Sequence, residues 1–340
     1  MSDDDIKLVV AKKNKKLTNK STKEKSKSIK RGPGRPRKNP IQIPKNRSGI
    51  CNTPKYGEDN NMELIYGYPL VIKKLLSFYI NKSPKMHCVF TKTHVKLLCQ
   101  DKYANNSIRI TMDGNKMHRY YCERDMEFGL ALSYLEPLNK KLGKQFSEFV
   151  WFTEEDEKNK KCNIWLKWSY YSDSWNKTSY ATAGQYTKIE DDPFDNWDEK
   201  DYPLRFTLKN KIFKDIIDDA NHHKGTHLYI KQYGCKEPLL IDYCPDHLRF
   251  KSSNPFNNLD EIKMVSTLEE DEIFSVAIQI NHLKSIASTI PSDEIEFFAS
   301  KTKPLIITAY LDNRAITVRI LTNIVRSEKQ CKGGGVQPLI

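Results

Sequence analysis

The chain has 340 residues and a formal charge of +13, length enough for two domains and a tail. The charge is lopsided: residues 1–61 carry 17 Lys and Arg against 6 Asp and Glu, a net of +11, while the remainder stands near neutral at +2. No apolar run approaches the length that crosses a bilayer, three aspartates stand where a secretory signal would be basic, and the 8 cysteines contain no C-x-x-C pair. These features argue against a membrane protein, a disulfide framework and a zinc ribbon, and predict a soluble intracellular protein with free thiols.

Residues 1–61 are rich in Lys, Asn, Ser and Pro and lack the apolar surface that would repay ordering, which predicts a disordered basic tail. Within it, KRGPGRPRK at 30–38 resembles an AT-hook. Prolines hold such a segment extended, glycine lets it approach the floor of a narrow A·T minor groove, and arginines enter the negative potential there. The residues concerned are Arg31, Gly34, Arg35, Pro36 and Arg37. The alternatives are undirected phosphate contacts or a nuclear-import signal.

From Met62 the sequence turns to dense β-branched and aromatic alternation. A strand at 62–67 leads to an amphipathic helix over Pro69–Ile80, with proline in its first turn. Strand patterns follow at 86–91, 95–100, 107–112 and 126–132. A second helix is expected at 133–142, capped by Ser133, then strands at 148–152, 162–170 and 178–189. The acidic stretch 188–201 has seven acids in 14 residues and reads as a solvated connector whose Phe194 and Trp197 need a covering surface. It lacks the spacing and glycine of a calcium loop. The second half repeats the order: a strand at 202–208, a helix over Asn210–His222, strands at 226–233, 238–243, 247–253, 261–267 and 273–280, a short helix at 281–289, and strands at 294–300, 304–311 and 315–321. The offset of about 140 residues marks an internal duplication in topology. The fold class is α+β, with two similar antiparallel-sheet domains at 62–187 and 202–326 and a flexible tail at 327–340.

No nucleotide-binding loop, nucleophile elbow or H-E-x-x-H helix is present, so no enzyme activity and no cofactor or metal is expected. His223 and His227 are separated by Gly225, which ends the helix; they are read as a helix end and a strand start. Basic residues recur on the outer side of each expected helix: Lys73 and Lys74; Lys140, Lys141 and Lys144; Lys209, Lys211 and Lys214; Lys284. Each alone reads as a solvated face. Together they suggest one surface for a polyanion, against which Asp215, Asp218 and Asp219 argue locally.

The run Tyr120–Lys141, YYCERDMEFGLALSYLEPLNKK, resembles the proliferating-cell-nuclear-antigen family of ring-shaped DNA sliding clamps, as does the chain from about Met62 to Val325. YGYPLVIKKLL, VKLLCQDKYANNSIRITM, FTLKNKIFKDIIDDANHH, FSVAIQINHLKSIAS and KPLIITAYLDNRAITVRILTNI are similar to successive parts of that fold. The hook-bearing tail is absent from cellular members and is similar to clamp-like proteins of large eukaryotic DNA viruses of the African swine fever virus type.

The resemblance implies a homotrimeric ring, sheets outward and helices lining a channel around double-stranded DNA. It places Lys73, Lys74, Lys140 and His222 at DNA-facing positions. The other helix lysines, Lys141, Lys144, Lys209, Lys211, Lys214 and Lys284, join them on the helix-face argument. It also implies a groove for client peptides under the connector, here built from Phe194, Trp197, Pro304 and Leu321. At two basic positions of the family this chain has Asp215 and Asp218. Its loop at Gln100–Ser107 is more polar, and Leu321 and Thr322 replace the family's Ala and Pro. The function implied is a DNA polymerase processivity factor, partnered by the polymerase, other replication proteins and a clamp loader. It would act in the host cell, at a cytoplasmic replication site or in the nucleus. Its rivals are a clamp-fold late transcription factor and an AT-hook DNA-packaging protein.

Overall fold

The computed structural model describes residues 47–55, 60–80, 83–100, 106–141, 148–156, 161–172, 175–183, 185–186, 192–245, 252–256 and 262–324. The expected AT-hook, the C-terminal tail at 327–340, Lys144 and residues 101–105 of the polar loop lie outside these residues.

The first half runs β1 (Asn60–Tyr66), α1 (Pro69–Ile80), β2 (Lys85–Phe90), β3 (His94–Gln100), β4 (Asn106–Asp113), β5 (Arg119–Cys122), β6 (Met126–Ala131), α2 (Leu132–Lys141), β7 (Glu148–Asp156), β8 (Lys161–Ser172) and β9 (Trp175–Ala183). A two-residue strand, β10 (Gln185–Tyr186), and two short 3-10 turns at Pro193–Asn196 and Glu199–Asp201 lead to the second half. That half runs β11 (Leu204–Lys209), α3 (Asn210–His222), β12 (Gly225–Tyr233), β13 (Leu239–Pro245), β14 (Ser252–Phe256), β15 (Ile262–Ser266), β16 (Ile273–Gln279), α4 (Ile280–Thr289), β17 (Glu294–Ala299), β18 (Leu305–Leu311) and β19 (Ile316–Thr322).

Strand pairing repeats between the halves. In the first, β1 lies between β5 and β7, followed outward by β8 and β9; in the second, β11 lies between β15 and β17, followed by β18 and β19. Likewise β2 pairs with β6 and β3, and β3 with β4, as β12 pairs with β16 and β13, and β13 with β14. All these pairs are antiparallel. The sheets are not confined to their own halves, however. β4 pairs with β19, setting Ile108 opposite Ile320, Arg109 opposite Arg319 and Ile110 opposite Val318. One ten-stranded sheet therefore crosses the chain in the order β10-β6-β2-β3-β4-β19-β18-β17-β11-β15.

The helices follow from their apolar spacing. In α1, Ile72, Leu75, Leu76 and Tyr79 recur at helical intervals and are buried, and the Tyr79 hydroxyl donates to the Leu97 carbonyl at 2.9 Å. In α3, Phe213, Ile216, Ile217 and Ala220 form the buried stripe. The helix ends where Lys224 turns left-handed (φ 55°) and Gly225 follows; a Cβ on Gly225 would meet the Ala220 carbonyl at 3.0 Å. The expected Ser133 cap of α2 is not formed. The helix starts one residue earlier, directly from β6, and the Leu132 N–H donates to the Pro84 carbonyl at 2.9 Å, so a loop backbone takes the place of a serine side chain. Ser133 sits exposed within the first turn.

Three parts of the architecture depart from the sequence expectation. β14 lies at Ser252–Phe256 where a strand at 247–253 was expected, and residues 247–251 lie outside the described ones. β5, only four residues long, is an additional strand. The expected tail of 1–61 also ends earlier, because residues 47–55 belong to the fold. Ile50 bridges Tyr120 in parallel, Ser48 N–H donates to the His118 carbonyl (2.9 Å), and Cys51 N–H to the Tyr120 carbonyl (2.7 Å). Gly49 (φ 65°) lies so close to Asn115 that a Cβ would stand 2.8 Å from its carbonyl oxygen. Arg47 pairs with Asp312 in the β18–β19 turn, and Tyr66 donates to the same carboxylate at 2.9 Å. Backbone bonds rather than apolar burial hold this polar segment, which is why composition missed it.

Candidate nucleic-acid interface and connector site

The four helices of the described residues form one row. α1 packs against α2 and α4, and α4 against α3, giving the order α2, α1, α4, α3 across both halves. Their apolar stripes face the sheets, so their exposed residues share one surface. On α1 this surface carries Lys74, with Lys73 half-buried beside it. On α2 it carries Lys140, whose Nζ pairs with Glu136 one turn back at 2.7 Å. The Lys141 side chain is outside the described residues. On α4, Lys284 is exposed, and its Nζ donates to Asn221 Oδ1 of α3 at 3.0 Å, bracing the two helices. The α1–α2 contact has a similar brace, Asn139 Nδ2 to Ser77 Oγ at 2.7 Å.

α3 has the most mixed charge. Lys211, Asp215, Asp218 and His222 fall at helical spacing along one exposed ridge, so the two aspartates lie between the two basic residues. Asp219, on the flank, accepts from the Tyr243 hydroxyl at 2.6 Å and faces His223 at 3.6 Å. Lys209, Lys211 and Lys214 line an open cleft of about 470 Å3 at the N-terminal end of α3, together with Asp293 and Glu294. The row thus collects the expected lysines on one surface, but several already have local partners and acids are interspersed.

Of the expected client groove, Phe194 and Leu321 share one buried cluster with Trp197 at its edge, while Pro304 reaches it through its carbonyl. Phe194 is only 2% exposed and packs with Leu98, Tyr202, Phe298, Ile306 and Leu321, with Trp197 partly buried at the edge. Pro304 accepts through its carbonyl from the Tyr202 hydroxyl at 3.0 Å. Asp195, Asn196, Asp198, Lys200 and Asp201 of the connector are exposed, as a solvated connector requires, while Phe194 and Trp197 find the expected cover and Phe194 fills the site that it was expected to wall.

Two arginines that sequence reasoning passed over complete this arrangement. Arg109 of β4 and Arg319 of β19 lie opposite each other across the strand pair, and both guanidiniums stand over the Phe194 ring, at 4.8 and 5.5 Å from its centroid. Arg109 pairs with Asp192 (2.8 Å) and more loosely with Asp195 (3.3 Å), and Arg319 with Glu199 (2.7 Å). Burial pulls Arg319 below the usual arginine range, a fall that Glu199 opposes and Arg109 reinforces. Asp192 also caps its own turn by accepting from Phe194 N–H at 3.0 Å. A signal existed in the sequence: Ile108-Arg109-Ile110 and Val318-Arg319-Ile320 place an arginine at the same point of two apolar strands.

No protein-family model matches the chain. Its sequence is 23% identical over 312 residues to an uncharacterized protein of African swine fever virus, in isolates from a Kenyan pig and a Namibian warthog; the match takes in 88% of this chain and 100% of the viral protein. The structure is similar to the crystal structure of the proliferating cellular nuclear antigen of Entamoeba histolytica, with a TM-score of 0.63 at 10% identity, covering 78% of this chain and 99% of that one. The chain has the clamp fold of proliferating cell nuclear antigen, and its sequence relatives are viral. The resemblance read from Tyr120–Lys141 holds at the level of fold.

Proposed function

We propose that the chain is a DNA polymerase sliding clamp, a non-enzymatic processivity factor that closes as a homotrimer around duplex DNA and tethers replication proteins to it. The observation that carries this reading is the duplication and the edges it leaves. β9 is the counterpart of β19, and β14 of β4. Within the chain β19 and β4 pair with each other, whereas β9 and β14 each have one neighbour among the described residues. Joining β9 of one copy to β14 of the next repeats the same seam between chains. Three chains joined in this way bring twelve helices to the inside of one ring. The clamp fold and the viral relatives support the same reading.

Lys73, Lys74, Lys140, Lys141, Lys144, Lys209, Lys211, Lys214, Lys284 and His222 would then meet phosphates in the channel. The mixed charge of the row suits sliding, because no contact is strong enough to halt the ring. Retention would come from closure. The basic tail, with Arg31, Gly34, Arg35, Pro36 and Arg37, would add a second hold on A·T-rich DNA. The test is retention on DNA after loading. Clamps should stay on closed circles at moderate salt and leave when the circle is cut once; equal loss from cut and uncut circles overturns the ring. Removing residues 1–46, which spares the packed segment from Arg47 onward, should leave that difference intact. An AT-hook packaging protein would instead lose its DNA binding with the tail.

A further inference from the structure

We propose that β15 is a docking edge for an extended, basic and apolar segment of a partner protein, which adds to the sheet there as residues 48–51 add to β5. This goes beyond the clamp reading and does not require the ring. The duplication supplies the comparison. In the first half the edges at β5 and β6 are both covered. Ser48 N–H donates to the His118 carbonyl (2.9 Å), Tyr120 N–H to the Gly49 carbonyl (2.9 Å) and Cys51 N–H to the Tyr120 carbonyl (2.7 Å), and β10 pairs with β6. Tyr120 is fully buried there. The counterpart edges of the second half, β15 and β16, each have one neighbour among the described residues, β11 and β12. Val265 on β15 and Ile273 on β16 are both 62% exposed, and Tyr233, which pairs with Ile273, is 47% exposed.

An open edge strand with an exposed β-branched side chain is a template for a further strand. Its surroundings specify what that strand carries. The loop from β15 to β16 reads TLEEDE at 267–272. Two of its acids are already paired, Glu270 with Lys236 and Glu272 with Lys301. Glu269 and Asp271 are exposed and form no ion pair among the described residues. The loop is held in place by backbone bonds, Thr267 N–H to the Pro203 carbonyl and Gly234 N–H to the Glu272 carbonyl, both 2.9 Å. Its free carboxylates therefore stand ready at the end of the edge and call for Lys or Arg. Val265 and Met264 call for apolar side chains at alternate positions. The bridge of Ile50 to Tyr120 is parallel, so the added segment is expected to run parallel to β15.

The experiment measures binding of a labelled heptapeptide of alternating lysine and valine to the full chain by fluorescence anisotropy at low salt. Adjacent N–H groups of a strand face opposite sides, so methylating the amide nitrogens of the lysines alone, or of the valines alone, blocks one side. One of these two peptides should bind about tenfold weaker than the unmodified one, and the other nearly as well. Glu269→Gln with Asp271→Asn should weaken the unmodified peptide about fivefold, a loss that added salt removes. Val265→Arg should weaken it about tenfold by setting a like charge beside it, whereas Tyr121→Arg on the covered counterpart β5 should leave it unchanged. Equal binding of all three peptides would mean that charge alone holds them and overturns strand addition. Failure of every peptide to bind overturns the proposal outright. A fall in mass on Val265→Arg in light scattering would make a second copy of the chain the occupant. Binding seen only after removal of residues 1–46 would make the chain's own tail the occupant. Either result overturns an outside partner.

Discussion

Glu63 ties three separate pieces of chain together. Its side chain is fully buried on β1, where it accepts from Arg119 Nε of β5 at 3.0 Å and from the Lys55 N–H at 2.9 Å; Arg119 in turn donates to the Thr53 carbonyl. Glu63→Ala removes the carboxylate while leaving a half-buried guanidinium behind it. The expected loss is about 3–5 kcal/mol in urea unfolding, with Glu63→Gln losing less because it keeps an acceptor. Lys224 has the opposite sign. It is an exposed residue held at φ 55° where a helix ends, a conformation that strains any side chain with a Cβ. Lys224→Gly should stabilise the chain by about 1 kcal/mol, read as a higher urea midpoint at unchanged slope. At this scale the sequence is informative about which residues are buried and silent about their partners. Phe194 is visibly in need of cover; that Arg109 and Arg319 supply it depends on β4 meeting β19, a pairing between strands far apart in the chain.

Among the elements, α1 and α3 are legible to the residue, because the amphipathic period outlines each helix while Pro69 marks the start of α1 and Gly225 the end of α3. β5 is not, since four residues hold too little alternation to register. The segment 47–55 is not, since its bonds are made by backbone. The edges β9 and β14 carry the prediction that belongs here. Adjacent residues in a strand direct their N–H groups to opposite sides, so of Thr178→Pro and Ser179→Pro one removes a donor facing β8 and the other a donor facing outward. The outward-facing one should turn a trimer into monomers in light scattering while leaving the thermal unfolding of the chain nearly unchanged. If neither alters the mass, β9 is not the joint.

At the scale of the whole molecule, charge behaves as two separate quantities. The tail holds most of it, and the helix row holds a modest, partly neutralised share. Lys74→Ala, Lys211→Ala and Lys284→Ala should each lower the steepness of log affinity against log salt by about 0.9 for duplex DNA, whatever its sequence. Loss of the tail should instead remove any preference for A·T-rich sites. An affinity that drops with the lysines on one sequence only would mean base recognition and contradict a sliding surface.

The strap over the β4–β19 seam also says where such a ring would yield. Phe194, its two arginines and three acids bind the connector across the joint inside each chain, and every chain has a single connector, spent on its own seam. The proposed joints between chains, β9 against β14, would lack that fastening. Under a prying force such a ring should part between subunits, leaving each chain whole, so the strength that holds the two halves together would decide where the ring opens.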